Sequence, residues 1–390
     1  MTCKLPIGPA AALLILAAFA VPGSAIAGPA EEPPKAELAT TGNDSEIEDS
    51  VPVATAPGSK QRVVMSLGPE ELKRIEAGDR MRVSGEVQVS TTCVAPGPRC
   101  VGRRYEFNPT ITAQIVLAAA ADRKAFSIPL SGPRQALCKQ RRPNRNHHCT
   151  ITFPNVESTI ADPSTLPCAA NQCYVNMILS AANPAAKHGN RVVLGADRPD
   201  GSVEGDKGRL NVVQARADVP PPTEAFSAEL VNSTLPLTEG KKVKRRVVHS
   251  IPIAAPKKGE VIAFDGSYQI GISALSYNAF ISSLVVIAET PTSIEPSGVA
   301  TQSTQLRGYA TEGNGFNCTK GPSGYANPCA SVKAGAIRFT EDAVDASGQP
   351  ATLYLNLISA AKPLLTDEAE DPHRVGLTAT GGLRAFRYSP

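Results

Sequence analysis

The sequence predicts an all-β protein: two tandem β-sandwich domains related by internal duplication, with a jelly-roll-like strand order favoured over an immunoglobulin-like one. Three observations carry this. Apolar residues alternate with period two in many short runs, a series of sequence matches recurs in the same order, and no long helical periodicity competes with either.

The recurrence sets the domain division. Lys60-Gln61-Arg62-Val63-Val64-Met65-Ser66-Leu67 parallels Lys244-Arg245-Arg246-Val247-Val248-His249-Ser250-Ile251. The stretch 78–89 parallels 259–270, and 108–118 follows the pattern of 278–288. Cys138 and Cys149 have the spacing of Cys318 and Cys329. Tyr174-Val175-Asn176-Met177 and Tyr354-Leu355-Asn356-Leu357 follow at equal distance, and both run into Ser-Ala-Ala-x-Pro. With 390 residues, the chain has room for two cores of ordinary size. The repeats are expected at 60–216 and 242–389, joined by a linker at 217–241 that starts with Pro220, Pro221 and Pro222.

Within the first repeat, Met81, Val83, Val87 and Val89 alternate with Arg80, Arg82, Ser84, Glu86, Gln88 and Ser90. That pattern predicts a strand with one buried and one wet side. Further strands are expected at 62–67, 110–119, 125–130, 149–154, 173–181, 191–195 and 209–215, punctuated by Gly, Pro, Asn and Asp. Pro69 to Ile75 has the composition for one or two helical turns. Its counterpart 252–258 is broken by Pro256.

Residues 1–27 read as a secretory signal: Lys4, an apolar run from Ala10 to Ala20, and Ala25-Ile26-Ala27 as a cleavage pattern. The run is shorter than a bilayer span needs, and no later stretch reaches that length, so no integral membrane segment is expected. Residues 28–59 are rich in Pro, Ser, Thr and acid (Glu31, Glu32, Glu37, Asp44, Glu46, Glu48, Asp49), which predicts disorder. The basic cluster Lys241, Lys242, Lys244, Arg245 and Arg246 reads first as a solvated linker end running into an edge strand; the alternative is a docking place for the acidic arm. The formal net charge is only +3, and aromatics are 5% with no Trp, so neither nucleic acid nor a stacking platform is indicated.

Nine cysteines are present, and loss of Cys3 with the signal leaves an even set. Their grouping predicts nearest-neighbour disulfides: Cys93–Cys100, Cys138–Cys149, Cys168–Cys173 and Cys318–Cys329. These are expected to be local loop staples in an oxidising compartment, whether extracellular, cell-surface or periplasmic. Cys93-x₆-Cys100 and Cys138-x₁₀-Cys149 are too open for a zinc knuckle.

Three places can carry a function. The segment between Cys138 and Cys149 holds Lys139, Arg141, Arg142, Arg145, His147 and His148. This charge density, held by a disulfide, suits an anionic surface, polymer or protein patch. Asp197, Asp200, Glu204 and Asp206 place acidic oxygens among glycines, a weak calcium pattern that misses the EF-hand spacing. The repeated polar pairs Tyr174/Asn176 and Tyr354/Asn356 share a strand face. Their architectural role is to pack a ring at the core edge and bond a loop; the alternative is a pair of equivalent binding spots. Asn232-Ser233-Thr234 and Asn317-Cys318-Thr319 fit the glycosylation acceptor pattern.

No catalytic motif or cofactor fingerprint appears. The expected function is a secreted or cell-surface structural or adhesive binding protein without catalytic activity or cofactor. The alternative is a secreted hydrolase with its site in the interdomain cleft.

Overall fold

The computed structural model describes residues 36–41, 50–58, 60–93, 109–122, 127–138, 148–169, 172–184, 190–195, 208–236, 245–272, 279–291, 316–318, 329–363 and 374–389. The expected signal segment and most of the basic 139–147 stretch lie outside them. The first half comprises β1 (Ala36–Thr41), β2 (Ser50–Ala54), β3 (Arg62–Leu67), β4 (Arg80–Cys93), β5 (Thr110–Ala118), β6 (Ser127–Pro129), β7 (Arg134–Leu137), β8 (His148–Thr159), β9 (Tyr174–Ala182), β10 (Asn190–Leu194) and β11 (Gly208–Ala215). The second half comprises β12 (Thr223–Ser227), β13 (Thr234–Pro236), β14 (Arg245–Ile253), β15 (Val261–Ile272), β16 (Ala279–Ala288), β17 (Phe316–Cys318), β18 (Cys329–Arg338), β19 (Leu353–Pro363) and β20 (Arg374–Tyr388). Among the described residues the only helical element is a short 3₁₀ turn at Pro163–Thr165.

Each half is a sandwich. In the first, one sheet runs β1-β11-β4-β8, with β10 in line with β11 along the same edge of β4. The other runs β3-β9-β5, with β6 and β7 sharing the outer edge of β5. In the second half the sheets run β12-β20-β15-β18 and β14-β19-β16-β17. Counting collinear pieces as one strand, both halves pair first with eighth, eighth with third and third with sixth in one sheet. Both pair second with seventh, seventh with fourth and fourth with fifth in the other. That is the jelly-roll order, so the immunoglobulin-like alternative does not hold.

The expected disorder of 28–59 is corrected at 36–41 and 50–58, where β1 and β2 form; the rest of that range lies outside the described residues. Ala36 and Ala39 are buried in β1 and Val51 and Val53 in β2; β1 pairs with β11, and β2 lies between β10 and β9, despite the acidic surroundings. Within β1, Glu37 pairs with Arg338 at 2.6 Å; Lys241, Lys242 and Lys244 lie outside the described residues. The expected linker 217–241 likewise holds β12 and β13, both paired with β20. Val219 is buried, and Arg80 donates to the carbonyls of Val219 and Pro220 at 2.6 and 2.9 Å. The start of the proline run is therefore fastened to β4.

The wet face expected for β4 is a second correction. Arg82, Ser84, Glu86, Gln88 and Ser90 are all buried. They face the second sandwich across an apolar cluster formed by Ala36, Val213, Ala215 and Val219 with Val261, Ala263, Ala336, Phe386 and Tyr388. The apolar faces of the same strands feed the separate cores: Met81, Val83, Val87 and Val89 in the first, Ile262, Phe264, Leu383 and Ala385 in the second. Four sheets are thus stacked face to face, and the two inner ones meet across this cluster.

Local geometry recurs between the halves. A β-bulge interrupts β3 between Val63 and Met65, and another interrupts β14 between Val247 and His249. The Asp79 carboxylate accepts from the Glu76 amide and from Arg216, and the Glu260 carboxylate accepts from the Lys257 amide and from Arg387. Pro69 to Ile75 forms turns; its helical potential reaches no further than a Leu72 amide donating to the Gly68 carbonyl.

Candidate functional site

The root of the basic segment is well built. Cys138 follows β7 on the edge of one sheet, where its amide donates to the Pro109 carbonyl. Cys149 lies in β8 on the edge of the other sheet, opposite Val89. Their disulfide therefore joins opposing sheets. Cys138 is fully buried in the first core and Cys149 packs against it. The expectation of a mere loop staple is corrected here; at Cys168–Cys173, five residues apart, the bridge is local as expected, with Cys173 buried in the same core. Lys139, Arg141, Arg142, Arg145 and His147 lie outside the described residues. His148 is placed by its backbone alone, opposite Ser90 in β4.

Cys318 ends β17 in one sheet of the second sandwich and Cys329 opens β18 in the other, the same placement as Cys138 and Cys149. Their side chains, and the Cys93–Cys100 pair, lie outside what is described, as do Asp197, Asp200, Glu204 and Asp206. Among the described residues no group of three or more His, Cys, Asp or Glu side chains could hold a metal ion. No helix among them is long and apolar enough to cross a membrane.

Both polar pairs are resolved. Asn176 and Asn356 are buried on the face of β9 and β19 that points away from the core. The Ser66 hydroxyl donates to Asn176 Oδ1 at 2.6 Å, and Asn176 Nδ2 donates to the Ala120 carbonyl at 2.8 Å. The Ser250 hydroxyl likewise donates to Asn356 Oδ1 at 2.6 Å, and Asn356 Nδ2 donates to the Thr290 carbonyl at 3.0 Å. Each asparagine ties the strand after the bulge to the turn that follows β5 or β16. With donor and acceptor both occupied inside the fold, these amides serve the architecture. Tyr174 and Tyr354 are half-buried beside them.

A polar cluster that sequence reasoning missed lies between the sandwiches. Arg82 stacks on Phe386 at 3.7 Å and donates through Nε to the Tyr388 hydroxyl at 2.6 Å. Its other nitrogen pairs with Glu157 at 2.9 Å, and the Tyr388 hydroxyl donates to the same carboxylate at 2.7 Å. Burial pushes the Tyr388 phenol well above its ordinary range against the pull of Arg82, so it remains a donor. Nearby, Asp265 accepts two bonds from Arg384 at 2.7 and 2.6 Å, and Asn155 Nδ2 donates to the Phe264 carbonyl. The face between sandwiches, where a hydrolytic cleft was the alternative expectation, is packed, and these two carboxylates are engaged by arginines. The signal was available in β4: of its outward residues, Ser84, Gln88 and Ser90 are neutral and small enough to be covered.

No known protein family matches the sequence, and no curated protein does. Among solved structures, the chain is similar to PNGase F, a glycosylasparaginase from Flavobacterium meningosepticum, at 9% identity and a TM-score of 0.18, covering 90% of this chain and 96% of that one. It is also similar to the tandem CBM22-1–CBM22-2 domains of Xyn10C from Paenibacillus barcinonensis, at 8% identity and a TM-score of 0.18, covering 88% and 93%. At these values neither likeness carries a conclusion about function. What the chain's own geometry defines is a disulfide-bonded all-β protein of two face-packed jelly rolls.

Proposed function

We propose that the protein is an exported structural or adhesive binding protein that acts without catalysis, contacting an anionic surface or polymer through the 139–147 segment. The observation that supports this is the Cys138–Cys149 bridge, which plants both ends of that segment on opposing sheets of one rigid body. A cationic loop fixed at both ends loses less entropy on contact than a free one. The two disulfides are compatible with an extracellular location.

The double sandwich serves as the mount, and its two halves descend from one duplicated jelly roll. The equal strand orders, the matched bulges and the matched Ser–Asn–carbonyl bonds support that descent. On this reading the copies start with β1 and β12, not at 60 and 242.

The test is retention of the mature protein on an immobilised anionic polymer such as heparin. Replacing Arg141, Arg142 and Arg145 with Ser should abolish retention at moderate salt while leaving the circular dichroism spectrum and melting temperature unchanged. Retention equal to the wild type, or insensitive to salt, overturns the loop's role.

A further inference from the structure

His249 is fully buried at the bulge of β14, on the strand face that points into the second core. Directly opposite it in β19 is Leu357, and the flanking core residues Ile251, Leu355 and Leu383 are apolar. The ring has one polar partner. Nδ1 lies 3.0 Å from the Glu229 carbonyl oxygen, an acceptor, so this nitrogen carries the proton. Nε2 is buried without a hydrogen-bond partner.

Glu229 belongs to the segment that connects β12 to β13 along one edge of β20 and reaches across to β14 in the other sheet. The Ser227 hydroxyl donates to the Glu229 carbonyl at 3.3 Å within the segment, and three bonds fasten the segment to the bulge. Beside the His249 bond, the Val231 amide donates to the Val248 carbonyl at 2.9 Å, and Asn232 Nδ2 donates to the Val247 carbonyl at 2.7 Å. Leu230 and Leu235, on and just after the segment, close over the core.

We propose that Glu229–Asn232 is an acid-released strap, latched to β14 by His249. A neutral ring closes the latch with one donor. A second proton would place an N–H and a positive charge at Nε2 among leucines and isoleucines, where nothing accepts it. The charged and titratable groups on the elements packed against β14 do not relieve this. Glu224 on β12 lies 4.0 Å from Arg384, which is bound to Asp265. Arg387 is bound to Glu260. Glu229 contributes its carbonyl while its side chain is exposed, and Arg245 and Arg246 are exposed where β14 starts. Tyr354 projects from the opposite face of β19, and Tyr388 is engaged by Arg82 and Glu157.

Burial lowers the proton affinity of His249, with the Glu229 bond opposing that shift. An imidazole in the opened strap titrates near its ordinary value of about 6.5. Above that pH neither form is protonated and the latch holds fully. Below it the open form binds a proton that the closed form does not, so the closed form weakens as pH falls, until the buried ring also titrates. Within that window the opening equilibrium shifts about tenfold per pH unit. The first sandwich carries an unswitched counterpart, because Met65 occupies the same position after the matching bulge of β3.

Hydrogen exchange on the full chain tests this, compared at pH 7.5 and 5.5 after correction for intrinsic rates. Amides in 229–236 and 245–253 should exchange about tenfold faster at the lower pH, while those in 62–67 change little. In His249→Met the acid-dependent increase should vanish. His249→Gln keeps a donor for the Glu229 carbonyl without a titrating ring, and it should behave likewise if the Met variant folds poorly. A wild type without the acid-dependent increase, or an increase retained in whichever of the two variants folds, overturns the strap.

Discussion

The Arg82 guanidinium lies 3.7 Å from the centre of the Phe386 ring, so a cation on β4 of the first sandwich covers an aromatic on the last strand of the second. This contact, with the bonds to Tyr388 and Glu157, makes the face between the sandwiches specific as well as apolar. Replacing Arg82 with Met removes the stack and leaves Glu157 without its cation. The expected cost is about 1–2 kcal/mol, because the buried guanidinium's stack on Phe386 and its bond to the partly exposed Glu157 carboxylate are both lost. Urea unfolding should show a lower midpoint for Arg82→Met. The double variant with Glu157→Leu should lose less than the two single losses combined. Unchanged midpoints would mean the cluster is incidental.

Asn176 and Asn356 should behave as structural twins. Asn176→Leu leaves the Ser66 hydroxyl and the Ala120 carbonyl without their partner, and Asn356→Leu does the same to Ser250 and Thr290. Each should cost about 2–3 kcal/mol by denaturant unfolding. Adding Ser66→Ala to Asn176→Leu should cost little more, because the hydroxyl has already lost its acceptor. If either Leu variant also abolished retention on the anionic polymer while remaining folded, the amide would have a binding role.

The two disulfides should differ in worth. Cys138 and Cys149 are separated by 11 residues, Cys168 and Cys173 by 5. Loop entropy alone makes the first more stabilising by roughly 0.6–0.7 kcal/mol. The first bridge also joins two sheets, so its loss frees β7 from β8. Paired Cys→Ser variants, compared by chemical denaturation, should show the 138/149 variant falling further.

Gly85 in β4 should tolerate no side chain. A methyl group there would meet the Arg209 carbonyl oxygen of the neighbouring strand and approach Met177 at 3.0 Å. The first obstacle is backbone in an inner sheet packed on both faces, so it cannot swing aside. Gly85→Ala should therefore lose well over the ~1 kcal/mol typical of a point change, read as a drop in melting temperature. Gly132→Ala, with open space around the added carbon, serves as the control.

The strands within each repeat were legible because alternation and turn residues are local signals. The expected 62–67, 173–181 and 209–215 agree with β3, β9 and β11 to within a residue at each end. The jelly-roll order was half legible, since strand number favoured it but pairing partners leave no local mark. The stacking of the sandwiches was not read. Arg82 and Glu86 on the outer face of β4 look like solvent residues until Tyr388, distant in the chain, is brought beside them. β1 and β2 were missed for a related reason. Acidic neighbours dominate their composition, while the buried positions are carried by Ala36, Ala39, Val51 and Val53, whose small side chains give a weak apolar signal. His249 was read as an ordinary strand position equivalent to Met65. The position is equivalent, but an imidazole there has chemistry that methionine lacks.

The contact cluster between the sandwiches contains both Ala36 and Tyr388, from the opening and closing strands of the described body. The ends of the fold thus meet at its waist, on either side of one seam. A short peptide grafted between them should be accommodated, with new ends cut at the exposed Gly132 turn, and the permuted protein should keep all four layers. Covalent order along the backbone would then be incidental to how the halves hold together.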